Sequence, residues 1–362
     1  GSIVVKGKKK PISVFTVNGI KKTSSPFQNQ YKTVFFGRGK ELKYLQSLYK
    51  NVTRKIDQGG GGVSMVGIKA EAGVGKTRLI YEFLNQILPK GLSPNYAIIG
   101  KASNLTRKPY SIFISILRYY FQLSEVDGLD TIKKKVKHKY GELTQALTTK
   151  EQKQLENTEP IIGFLLGIPS EDIRLKTAQK ELQTHIHLSL CHFIQIITLH
   201  CNQASIPMVL VLEDLHWIDD LSMEVLHYLI REFTELDTEP KLTGLFVFNY
   251  RQSFEFPTEI KVKKNFNELD LSPLSPNHSK EMIFHAFHSD ILPEYELKNI
   301  MKISAGNPFY IEEWIAYINT KQKDTGLAVE EIIKKYPVPT TLNALILSRI
   351  DALDENSKGV LQ

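Results

Sequence analysis

Cysteine is almost missing from this sequence: Cys191 and Cys201 are the only two in 362 residues. Two thiols in one histidine-bearing helical stretch make no disulfide framework, which excludes stapled secreted folds and points to a reducing compartment. Long apolar runs are missing too. No segment approaches the roughly 20 apolar residues of a membrane span, and the opening GSIVVKGKKKPI lacks the hydrophobic centre of a secretory signal. These absences predict a cytoplasmic protein with no membrane span. Acidic residues are in slight deficit, 39 Asp and Glu against 46 Lys and Arg, for a formal charge of +7. The lysines gather at 6–10, 133–139 and 261–264 without interleaved aromatics. They read as solvated faces rather than a nucleic-acid track, so nucleic acid is not an expected partner. His185, His187, His192 and His200 share a helical stretch with the cysteines, but the spacings match no standard zinc template, and helix packing is the expectation. No internal repeat is visible.

What is present is an ordinary globular composition, 42% hydrophobic and 23% charged, in a chain longer than one average domain and able to bury a sizeable core. Residues 3–17 alternate like a strand, a turn and a second strand, and 18–30 reads as a polar linker. A helix is expected through Leu45, Leu48 and Tyr49, then a four-glycine hinge over 59–62. Apolar runs at 63–68, 96–99, 207–214, 245–251 and 267–271 read as strands. The stretches between them read as helices, including an apolar one over 110–123, surface helices within 125–153 and a long one over 178–200. Strands alternating with helices predict an α/β fold with a parallel sheet covered on both faces. Residues 276–335 switch to helical periodicity alone, which marks a separate helical subdomain.

The most informative stretch is Gly61 to Leu79, GGVSMVGIKAEAGVGKTRL. A buried strand leads into Ala70-Glu-Ala-Gly-Val-Gly-Lys-Thr77 and then into a helix, the context that makes a phosphate-loop pattern a nucleotide site. The first position is Ala70 where glycine is usual. Consecutive N–H groups of Ala72, Gly73, Val74, Gly75 and Lys76, continuing through Thr77 and Arg78 into the helix, can turn inward around an anion. Lys76 is expected to bridge the outer phosphates and the Thr77 hydroxyl to ligate Mg2+, so the chain is read as binding ATP or GTP. A second motif, Leu210-Val-Leu-Glu213-Asp214-Leu-His-Trp-Ile-Asp219, ends an apolar strand in two acids. One such acid can hold the metal and the other can orient or deprotonate water; the alternative is an acidic cap on the following helix. If register holds, Glu213 serves the metal with Thr77 and Asp214 faces the water, though the roles can be exchanged. Arg251, at the tip of the fourth strand, either senses the γ-phosphate or is solvated. His216 and Trp217 are read as packing and capping the next helix.

The acidic strand followed by LHWID resembles the signal-transduction ATPases with numerous domains, a branch near the AAA+ ATPases. Phe35-Phe-Gly37-Arg38-Gly-Lys-Glu41 resembles that family's GRE-type entry motif, spaced here as GRGKE. Leu271-Ser-Pro-Leu274 and Gly306-Asn-Pro308 through Glu313 resemble its lid motifs, and Val338-Pro339 through Leu353 the entry to its winged-helix domain. The resemblance implies a P-loop NTPase sheet of the AAA+ type over 34–275, a helical lid over 276–336 and the start of a winged helix over 337–362. It implies ATP and Mg2+ as cofactors, with Gly37, Arg38 and Pro308 beside the nucleotide. Residues 3–17 also resemble the closing hairpin of class III nucleotidyl cyclase domains, which makes 1–33 a hairpin remnant with its linker. A cis-fused cyclase domain and C-terminal winged-helix or repeat domains then become the expected partners. The leading reading is a slow Mg2+-dependent regulatory ATPase, with cyclase activity elsewhere. A DNA-associated ATPase or transcription regulator and a nucleotide-binding scaffold without turnover remain the alternatives.

Overall fold

The computed structural model describes residues 2–3, 12–13, 34–88, 95–104, 108–234, 241–287 and 292–336, with isolated positions between 341 and 347. Two strands of two residues, β1 (Ser2–Ile3) and β2 (Ile12–Ser13), pair antiparallel with Ile3 opposite Ile12. The remainder of the expected hairpin, the linker over 18–30 and nearly all of the expected winged-helix segment lie outside the described residues. The chain divides into two compact units: Arg38–Ala72 with Lys76–Leu271, and Gly1–Gly37 with Gly73–Gly75 and Ser272–Gln362.

The larger unit contains α1 (Gly39–Asp57), β3 (Gly62–Lys69), α2 (Lys76–Ile87), β4 (Ala97–Lys101) and α3 (Ser111–Tyr120). It continues through α4 (Leu129–Thr144), α5 (Thr149–Leu165), α6 (Gln179–Gln203), β5 (Met208–Glu213), α7 (Asp220–Thr234), β6 (Thr243–Tyr250), α8 (Thr258–Lys261) and β7 (Phe266–Asp270). Its five strands form one parallel sheet in the order β4-β5-β6-β3-β7. Every residue of β5 and β6 is buried, as their unbroken apolar runs require of strands covered on both faces. β7, at an edge, is half-exposed and more polar. Gly62, expected in a hinge, instead opens β3 and pairs with Thr243. Because β6 inserts between β3 and β5, the strand feeding the phosphate loop and the strand ending in the two acids are not neighbours. Their C-terminal ends still share one rim of the sheet with those of β4 and β6, where open α/β sheets bind ligands.

Expected as a surface helix, α4 buries more than the charge count suggested. Ile132, Val136, Tyr140 and Leu143 of α4 and Leu155, Ile161 and Ile162 of α5 join the main core. The Tyr140 ring stacks on Phe121 (centroids 6.0 Å, 8° between planes) and Phe193 (5.6 Å, 25°), and its hydroxyl shares a 2.9 Å hydrogen bond with Thr158. An apolar stripe with helical spacing is sparse in any short window, so the lysines around it hid it. Between the two helices, Thr148 N–H donates to Glu151 Oε2 (2.8 Å) and Glu151 N–H to Thr148 Oγ1 (3.5 Å), a capping box that starts α5. Thr148→Ala should lower stability by about 1 kcal/mol in denaturant titration, and a loss below about 0.3 kcal/mol would show that the box is idle. Cys191 and Cys201 are buried free thiols in α6. Burial pushes the Cys201 thiol up to about 12, and its Sγ donates to the Asn95 carbonyl. Protonated thiols of this kind are packing groups rather than nucleophiles.

The smaller unit holds α9 (Pro276–Phe287), α10 (Glu294–Ser304), α11 (Pro308–Thr325) and α12 (Val329–Lys335). They pack around Ile283, Ile300, Ile311, Trp314, Ile318 and Ile332, and Phe287 meets the buried Trp314 ring edge-on at 5.6 Å. The two lid-like motifs touch: Leu274 N–H donates to the Gly306 carbonyl at 2.8 Å. Gly306 has φ +75°, and a Cβ there would strike the Leu274 carbonyl and the Pro273 side chain, so this junction requires glycine.

Candidate functional site

The phosphate loop is a tight turn between β3 and α2, held at its start. The Ala70 N–H donates to the Tyr250 carbonyl (3.2 Å) and the Leu271 N–H to the Lys69 carbonyl (2.8 Å), so the neighbouring strands fix where the loop begins. Gly73 and Gly75 have φ of +78° and +102°, the left-handed conformation that turns successive N–H groups toward one centre. Lys76, 8% exposed, is the first residue of α2, and its ammonium donates to the carbonyls of Ala70 (2.9 Å) and Glu71 (3.0 Å). Burial lowers the pKa of Lys76, while Asp214 opposes that shift. The charge is therefore held among the loop and the acids. Arg78 pairs its guanidinium with Glu82 on its own helix at 2.7 Å, so what it offers an anion is its N–H in the first helical turn.

Glu213 is 1% exposed at the end of β5. The Thr77 hydroxyl hydrogen-bonds its carboxylate, and Asn249 Nδ2 donates to Oε1 at 3.1 Å. Burial pushes the Glu213 carboxyl up against the pull of those donors and of Lys101. Asp214 turns the chain out of the strand with a left-handed backbone, φ 57° and ψ 40°, a conformation that costs a non-glycine residue free energy and clusters at functional sites. Its N–H is held by Asn249 Oδ1 at 2.9 Å, and its carboxylate lies 3.5 Å from the Lys101 ammonium. Asp214 makes no side-chain cap on the 3₁₀ turn Leu215–Trp217 that follows it. The cap of this region is Asp219, which accepts from Tyr110 N–H, from the N–H and hydroxyl of Ser111 and from the N–H and hydroxyl of Ser222 at 2.7–3.1 Å. The acidic-cap alternative belongs to Asp219, not to the acid pair.

Arg251 follows β6, with its guanidinium 5.1 Å from the Trp217 ring centroid and close enough to affect the charge on Lys76. Lys76, Thr77, Glu213, Asp214 and Arg251 thus converge at one rim of the sheet unit. Arg38, 6% exposed, pairs with Glu41 at 3.4 Å at the start of α1.

Gly37, Gly73, Val74, Gly75 and Pro308 belong to the other unit. There Gly37 closes on the His278 ring, which lies 2.7 Å from where a Cβ would be. Pro308 opens α11 behind Asn307, whose side chain accepts from the N–H groups of Phe309 and Tyr310. Within the same unit the Phe309 N–H donates to the Gly73 carbonyl (3.3 Å), and the Pro308 ring lies 3.9 Å from the Cβ position of Gly75.

Two residues of the rim were not read from the sequence. Asn249 is a fully buried amide in the otherwise apolar run Leu245-Phe-Val-Phe-Asn-Tyr, and a polar residue in a central strand was the available signal. Lys101 carried none, because a charge at the end of a strand is ordinary.

Within the sheet unit the donor set fits a magnesium nucleotide: the N–H groups of the first turn of α2, a lysine whose donors now satisfy loop carbonyls, and a hydroxyl paired with a buried carboxylate. Magnesium takes one or two protein oxygens and leaves the rest to phosphate and water. Among solved structures, the chain is similar to a signal-transduction ATPase with numerous domains from Pyrococcus horikoshii that carries a tetratricopeptide repeat sensor. The two are 14% identical with a TM-score of 0.41, over 89% of this chain and 33% of that one, so this chain spans about a third of that protein's length. It is also similar to the ORC2 protein of Aeropyrum pernix (13% identity, TM-score 0.47, 91% of this chain and 74% of that one). A third similar structure is a Walker-type ATPase of Pyrococcus abyssi (12%, 0.39, 92% and 77%). No curated protein matches the chain. The AAA ATPase domain model matches residues 34–243. That span is more than half of the chain and takes in both the phosphate loop and the acidic strand, and it makes this protein a member of the AAA ATPase domain family.

Proposed function

We propose that the chain is a regulatory module that binds Mg2+-ATP and hydrolyses it slowly, and that the change between loaded and unloaded states controls a fused or bound signalling domain. The observation that carries the reading is the hydrogen bond between Thr77 and the buried Glu213 carboxylate beside the Lys76 ammonium. That pairing sets oxygen donors suited to a metal beside the N–H groups that open α2. Magnesium, when bound there, would neutralise charge on the phosphate oxygens. The loop N–H groups and Lys76 bind and orient the phosphates, Thr77 and Glu213 hold the metal side, and Asp214 takes the proton of the attacking water. The order of the pair, Glu213 before the shorter Asp214, favours slow turnover. A nucleotide that binds one arrangement of the chain better than another must shift the population toward it. The likeness of residues 3–17 to a cyclase hairpin makes a nucleotidyl cyclase domain the proposed recipient of that shift.

Calorimetric titration with Mg2+ and a non-hydrolysable ATP analogue tests this reading, with solution scattering on the same samples. Wild type should bind and contract. Lys76→Ala should bind at least about tenfold more weakly, about 1.4 kcal/mol, the scale of one charge-assisted contact. Unchanged affinity in Lys76→Ala would sink the nucleotide reading, and binding without contraction would sink the switch.

A further inference from the structure

His216 lies on the 3₁₀ turn directly after the acid pair, and neither of its ring nitrogens has a hydrogen-bond partner among the described residues, although both are buried. Buried polar atoms without partners are rare and costly, and each calls for an account. The ring is held in place by packing. It lies against Trp217 (centroids 4.4 Å, planes 42° apart), and the Arg251 guanidinium packs over that same indole. Asp214, Arg251 and Lys76 are all close enough to influence its charge, which locates the imidazole at the phosphate end of the site rather than behind the sheet. Burial favours the neutral ring, against Asp214 and with Arg251 and Lys76, and a neutral imidazole carries one N–H donor and one acceptor. A packing or capping role accounts for the ring's position but leaves both nitrogens unexplained.

We propose that His216 is a contact for the terminal phosphate. Its N–H donates to a γ-phosphate oxygen of the bound nucleotide, and the chain thereby tells a triphosphate from a diphosphate. This inference rests on the nucleotide reading above and adds to it a residue that sets which nucleotide state is held. Lys76, a point charge, favours both ADP and ATP; a directional donor placed beyond it favours only the nucleotide that has a third phosphate.

The test is calorimetric titration of the full chain, in the presence of Mg2+, with ADP and with a non-hydrolysable ATP analogue. His216→Phe keeps the ring on Trp217 and removes the donor. It should weaken the analogue about tenfold, equivalent to about 1.4 kcal/mol, and leave ADP within about twofold of wild type. His216→Gln, which restores an N–H donor, should recover most of the loss. Should His216→Phe fail to fold, His216→Ala removes the donor without bulk and carries the same comparison. Equal weakening of both nucleotides would assign His216 to packing, and no weakening of either would remove it from the site; both results overturn the proposal. Wild type that binds neither nucleotide overturns the nucleotide reading itself, whereas wild type that binds both, with unchanged discrimination in His216→Phe, overturns this inference alone.

Discussion

Asp214→Asn should cut phosphate release by at least about a hundredfold, the scale of a lost general base, while nucleotide affinity stays within about twofold of wild type. The substitution preserves shape and leaves the N–H bond to Asn249 intact, because that bond uses the backbone of residue 214 rather than its side chain. The capacity to accept a proton from water disappears, together with the ion pair to Lys101. Glu213→Gln should act differently. Its carboxylate accepts from both Thr77 and Asn249, and glutamine removes the negative charge and replaces one of the two oxygens with an NH2 that cannot accept. The variant should therefore need more Mg2+ for half-maximal binding as well as losing turnover. Phosphate release and Mg2+ titration on the two variants separate the roles. Equal turnover in wild type and both variants would show that neither carboxylate takes part in chemistry. A metal effect confined to Asp214→Asn would exchange the two assignments.

Asp219→Ala should cost about 3 kcal/mol of stability, because the change leaves several buried donors unpaired at once rather than deleting one contact. The donors come from two separate elements, Tyr110 and Ser111 at the start of α3 and Ser222 in the first turn of α7. Tyr110 itself has φ +62°, so the junction is conformationally costly and relies on Asp219 to hold it. Burial pushes the Asp219 carboxyl up, but the donors from Ser222, Ser111 and Tyr110 outweigh it and hold the group below the usual aspartate range. A depressed folded-state pKa means that its contribution is present above the unfolded-state value of about 3.9 and is lost as pH falls through the lower folded-state value. The stability gap between wild type and Asp219→Ala, measured by chemical denaturation, should therefore be full near neutrality and shrink below about pH 4. A gap under about 1 kcal/mol at neutral pH would show that the five donors find other partners.

Much of the architecture was legible because its cues are local. The run before Ala70 reads as a buried strand, the glycines and Lys76-Thr77 read as an anion loop, and the 3.6-residue period over 276–335 reads as a helical subdomain; each pattern lies within a few neighbouring residues. Alternation of strands and helices then implied a parallel sheet. Local cues failed where charge surrounded a sparse apolar stripe, as in α4, and where glycines read as a hinge although Gly62 is part of the sheet.

The arrangement around the acid pair was decided by tertiary structure alone. Composition and periodicity carry no information about which strand inserts between which, yet the insertion of β6 between β3 and β5 is what brings Asn249 to Glu213 and to the Asp214 N–H across a separation of more than thirty residues. The same holds for Lys101 beside Asp214, for Leu274 on Gly306, and for Asp219 joining two helix starts more than a hundred residues apart. The sequence by itself determined that a glycine-bearing turn joins a buried strand to a helix, because that pattern is written in consecutive residues. Only the packed sheet decided which groups hold the acids, because burial forces each polar atom to find its partner in space.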